Sequence, residues 1–145
     1  MTEKMQAYFD TKDAAKRNTL LKELALACPP DGKDFFYRAF KRERYLDMKL
    51  TAVRGYAFYA REDEVAALME NLLALLKKRP EKTPYNYQEY EVMRSRFLLP
   101  YLMETYGYPC FAAFYAQLER QYDAMPEVFK HIFTCDERGN MRPLR

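Results

Sequence analysis

The 145-residue chain has no tryptophan, one histidine (His131), one serine (Ser95), three cysteines and four glycines. Each scarcity removes a class of chemistry. Gly32, Gly55, Gly107 and Gly139 lie far apart, so no glycine-rich loop can cradle a phosphate. Cys28, Cys110 and Cys135 are separated by 82 and 25 residues with no Cys-x-x-Cys spacing, which reads as free, mostly buried thiols. A catalytic triad has only Ser95 and His131 to draw on. His131 and Cys135 are four apart and would be neighbours on a helix, but a thiolate nucleophile needs a pocket and an orienting group, and this pair falls where the last helix is ending. No catalytic residue, metal site or cofactor is expected from this inventory.

Long apolar runs are also missing. The first twenty residues are charged and polar, and no stretch approaches the length of a membrane span, so a cytoplasmic protein with no membrane partner is expected. What the chain does have is 49% hydrophobic and 31% charged residues, including 13 Tyr and 10 Phe. That is enough for one core at this length. The expectation is a single α-helical repeat domain over residues 1–134 and a polar tail over 135–145.

The formal net charge of +3 is mild, but its distribution is uneven. Residues 33–61 carry eight basic groups against three acidic ones, while the rest of the chain is close to neutral.

Helical periodicity dominates. Leu46, Leu50, Val53, Ala57 and Ala60 step by 4, 3, 4 and 3, and Tyr45, Met48, Ala52, Tyr56 and Tyr59 form a second stripe beside them. A helix with two apolar stripes is covered on two sides and belongs at the centre. Residues 13–27 predict a helix stopped by Pro29-Pro30, and Asp31 is placed to cap a helix over 33–41 carrying Phe35, Phe36, Ala39 and Phe40. A further helix over 62–78 starts with three acids and ends with basic residues, as the helix dipole favours. Residues 87–106 read as a long helix that Pro100 must kink or divide; Gly107 is then a C-terminal cap and Pro109 the opening residue of the next helix. Pro126 opens a last helix through Phe133. With no sustained alternating pattern, the fold class is all-α, with about six to eight helices.

The segment Asp47-Met48-Lys49-Leu50-Thr51-Ala52-Val53-Arg54, continuing to Leu75-Leu76, resembles the HEAT pattern of armadillo-type helical repeats. Glu91-Val92-Met93-Arg94-Ser95-Arg96-Phe97-Leu98 is similar to a second copy, and the stretch from Asp13 to Leu21 to a looser first one. The aligned Arg17, Lys49 and Arg94 are 32 and 45 residues apart. The resemblance implies a short α-solenoid, an irregular right-handed array of antiparallel helix pairs. An irregular closed bundle is the other arrangement open to the same helices.

Two surfaces stand out. The tyrosine segment Tyr85, Tyr87 and Tyr90 follows a proline-bounded linker, and exposed tyrosine suits a protein interface. The basic set Lys41, Arg42, Arg44, Lys49, Arg54 and Arg61 lies near Tyr45, Tyr56 and Tyr59 and is a candidate for holding phosphates and stacking bases. HEAT-like DNA alkylation-repair glycosylases use a basic concave surface in that way. The expected function is a non-catalytic module binding another protein, with nucleic-acid binding through residues 33–61 second and a small helical enzyme third.

Overall fold

The computed structural model describes residues 1–78, 92–124 and two short strands at 133–135 and 141–143. The protein is all-α in class. Seven helices appear among the described residues: α1 (Glu3–Asp10), α2 (Ala14–Ala27), α3 (Gly32–Arg42), α4 (Leu46–Ala57), α5 (Glu62–Lys77), α6 (Leu99–Tyr106) and α7 (Pro109–Ala124). Phe133–Cys135 (β1) pairs antiparallel with Met141–Pro143 (β2), placing Cys135 opposite Met141. Phe133 therefore lies in a strand, where the sequence predicted the end of a helix.

The chain divides into two compact units, Met1–Val65 and Ala66–Arg145. The first contains α1 to α4 and the first turn of α5. Thr2 starts α1 by accepting the Met5 N–H at 3.1 Å, which satisfies one of the helix's orphan donors. Met5 and Tyr8, three residues apart on one side of α1, are buried. Asp13 caps α2 in the same way, accepting from Ala15 at 2.9 Å and Lys16 at 3.3 Å. Cys28 closes α2 in a left-handed conformation, and Pro29 and Pro30 prevent its continuation. Asp31 stands at the α3 cap position, yet its side chain makes no capping hydrogen bond. Its carboxylate is left for other uses.

Helix α4 is the centre of this unit, with Leu46, Met48, Leu50, Thr51, Ala52, Val53, Gly55, Tyr56 and Ala57 all buried, as its two stripes require. The buried face of α3 is Phe35, Phe36, Ala39 and Phe40. Helices α3 and α4 approach so closely that a Cβ at Gly55 would collide with the Phe36 ring.

In the second unit the buried residues include Leu68, Met69, Leu72 and Leu76 of α5, Leu99 and Leu102 of α6, and Phe111, Phe114 and Leu118 of α7. Leu75, three residues on from the buried Leu72, is 42% exposed. Pro100 divides the long helix expected here: residues 92–94 are helical, the chain turns through Ser95–Leu98, and α6 begins with Pro100 in its first turn. Gly107 ends α6 at φ 66° with its N–H on the Met103 carbonyl at 3.0 Å, and Pro109 opens α7.

Candidate functional site

Since α3 buries Phe35, Phe36, Ala39 and Phe40, helical spacing turns Asp34, Tyr37, Arg38 and Lys41 outward, and all four are exposed. Beside this stripe lies an open cleft of ≈ 490 Å³ lined by Asp31, Lys33, Asp34, Tyr37 and Tyr56. The Tyr37 and Tyr56 ring centroids are 6.1 Å apart with planes tilted by 43°. Tyr37 is 40% exposed and Tyr56 only 6%. Among the described residues no protein group hydrogen-bonds to the Tyr56 hydroxyl. Burial, and then the nearby Glu64 charge, push the Tyr56 phenol above its ordinary value.

The charges around these rings fall into two kinds. Lys33 is committed: its ammonium meets both Glu64 oxygens, at 3.0 and 2.9 Å. Glu64 also accepts the Arg61 backbone N–H at 2.9 Å, and that bond, followed by Lys33, holds its carboxyl below the usual range. Asp31 and Asp34 are exposed, and neither carboxylate has a hydrogen bond or ion pair among the described residues. The same two aspartates border a second cleft of ≈ 440 Å³, whose other walls include Met5, Pro30, Phe35 and Arg38. Asp31 and Asp34 thus form a shared border, with a tyrosine-lined hollow on one side and one walled by Met5, Pro30, Phe35 and Arg38 on the other.

The six basic candidates are distributed differently from what their proximity in sequence suggests. Arg42 donates to the Tyr8 carbonyl at 2.8 Å and the Thr11 carbonyl at 3.0 Å, closing the C-terminal end of α1, and its guanidinium lies 5.0 Å from the Tyr8 ring centroid. Lys49 donates to the Phe40 carbonyl at 2.6 Å and sits over that ring; desolvation, then the neighbouring Lys41, lowers its pKa. Arg61 pairs with Asp63 at 3.1 Å. Arg54 is half-buried and has partners of its own. Lys41 and Arg44 remain exposed, with Lys41 5.3 Å above the Tyr37 ring. Lys33, whose partner Glu64 adjoins Arg61, and Lys41 lie eight residues apart on α3, about 12 Å along the axis. Lys33 therefore stands near one end of α3 and Lys41 near the other.

A buried polar cluster had no sequence signal beyond its charge. Glu43, which reads as the single acid in a basic run, is 2% exposed. It accepts from Arg17 Nε at 2.9 Å and Nη2 at 3.0 Å and from the Tyr8 hydroxyl at 2.5 Å, joining α1, α2 and the α3–α4 connection. Ser95 is likewise buried, and its hydroxyl accepts the Phe97 N–H at 3.3 Å. Tyr85, Tyr87, Tyr90 and His131 lie outside the described residues. Among the described residues no group of three or more His, Cys, Asp or Glu is placed to hold a metal ion, and no helix is long and apolar enough to cross a membrane.

Neither a protein-family model, nor a curated protein, nor a solved structure matches the chain.

Proposed function

We propose that this protein is a non-catalytic helical module, built of HEAT-like helix pairs, that binds another protein through the outer face of α3. The observation that carries this reading is the pair of clefts sharing Asp31 and Asp34. An aromatic floor, an apolar hollow and charged groups at the edge are the components of a protein-binding surface, where tyrosine and arginine supply most of the anchoring energy. Cytoplasmic placement is part of the proposal and is supported by the free thiols Cys28 and Cys110. Nucleic-acid binding is less well supported, because Arg42 and Lys49 spend donors on backbone carbonyls of the protein and Arg61 is paired with Asp63 at the surface.

The test is a photo-crosslinking amino acid placed at position 37 in cells that make the protein, with a control at Glu119, which is exposed in the second unit. A discrete protein adduct from position 37, resistant to nuclease and absent from position 119, is expected. Adducts that vanish with nuclease, or that form equally at both positions, overturn the reading.

A further inference from the structure

We infer that the Tyr37–Tyr56 cleft receives a cationic side chain, arginine or lysine, from a basic segment of the partner protein; this rests on the protein-binding reading above. Three independent features converge on that chemistry. The first is the pair of aspartates. Asp31 and Asp34 both line the cleft, and neither has a partner among the described residues. Asp34 suits the first turn of α3 electrostatically, but that role leaves its oxygens free to accept.

The second is the aromatic wall. A cation within about 6 Å of a tyrosine ring centroid is attracted by the ring's negative face. Tyr37 already holds one, since the Lys41 ammonium lies 5.3 Å from its centroid. The Tyr37 side chain is also open to solvent, the residue being 40% exposed.

The third is the Tyr56 hydroxyl, which has no hydrogen-bond partner among the described residues and belongs to a side chain only 6% exposed, in the wall of the same cleft. The hydroxyl is reached by solvent from the cleft while the rest of the side chain is packed away, so it is fixed in place and open to a guest. A guanidinium or ammonium donor meets this oxygen and the aspartates together, which no anionic or apolar guest does. Lys33 does not repel such a guest strongly, because both Glu64 oxygens neutralise it.

The experiment uses calorimetric titration of the whole chain at low salt with two capped peptides, tetra-arginine and tetraglutamate. The net charge of +3 works against the first peptide, so its binding reports a local site and not the overall field. Saturable one-to-one binding of tetra-arginine is expected, weakened at least fivefold by Asp34→Asn and by Tyr37→Ala and tightened by Lys41→Met, which removes the internal competitor. Both Asp34 and Tyr37 are exposed, and Asp34→Asn keeps the site testable if Tyr37→Ala folds poorly. No saturable binding of tetra-arginine, or binding indifferent to both variants, overturns the inference. Tetraglutamate binding that is lost in Tyr37→Ala also overturns the cationic assignment, while leaving α3 as a protein-binding face. The crosslink at position 37 reports on that face independently of either peptide.

Discussion

The Glu43 carboxylate grips the Arg17 guanidinium through both of its oxygens, at 2.9 and 3.0 Å, with its own side chain wholly shielded from solvent. The pair is 26 positions apart in sequence and fastens α2 to the connection between α3 and α4. Hydrogen bonding to Glu43 raises the Arg17 pKa further, so the guanidinium stays charged across the working range. Removing one partner strands the other. Arg17→Met or Glu43→Gln is expected to lose about 3–5 kcal/mol of unfolding free energy in urea, and the double variant to lose less than the two together. Additive losses would show that the two side chains do not depend on each other.

Tyr8 completes that cluster and gives it a signature at alkaline pH. Burial, then the hydrogen bond to Glu43, raises its phenol well above the ordinary 10.0. The unfolded chain releases this proton near the ordinary value while the folded protein retains it. Stability from this source is therefore complete below pH 10 and is lost as pH rises beyond it. Tyr56 and Tyr59 are shifted the same way by burial and add to the slope. Unfolding free energy measured from pH 9 to 11 is expected to fall more steeply in the wild type than in Tyr8→Phe. Equal slopes would mean that Tyr8 titrates normally when folded.

Much of the architecture was legible because it follows from spacing. The stripes of α4, the Pro29-Pro30 stop, and the turn from Gly107 to Pro109 depend on neighbours a few residues apart, and local sterics decide them. Helix α1 carried the same kind of signal, with Thr2 as a cap and Met5, Tyr8 and Phe9 on one side, but it lies in a stretch that reads as charged and polar. Long-range pairing was not legible. Nothing local distinguishes Arg42, which closes α1 from 31 to 34 positions away, from Arg44, which is exposed. The cleft was hidden for the same reason: Tyr37 belongs to α3 and Tyr56 to the core stripe of α4, and only packing brings their rings together.

That distinction between the two arginines is itself testable. Arg42→Met removes two charge-assisted bonds to the last carbonyls of α1, each partly shielded, and is expected to cost about 1.5–3 kcal/mol. Arg44→Met is expected to change stability by less than about 0.5 kcal/mol. Thermal melts of both variants suffice, and equal losses would contradict the placement of these side chains.

Gly55 sets how near α3 comes to α4, and so how Tyr37 meets Tyr56. A methyl group at this position would enter the Phe36 ring, which is fully buried and has no room to withdraw. In an exposed helix, alanine in place of glycine would stabilise by up to about 1 kcal/mol. Here overpacking opposes it at about 1–3 kcal/mol, so the net effect of Gly55→Ala is a loss. Phe36→Leu creates space and is destabilising alone, yet combined with Gly55→Ala it is expected to cost less than the sum, because the smaller side chain accommodates the new methyl. The helix spacing also fixes the cleft, so Gly55→Ala is expected to weaken tetra-arginine binding although residue 55 does not line the site. A stability gain from Gly55→Ala, with the titration unchanged, would show that α3 and α4 are not in this close register.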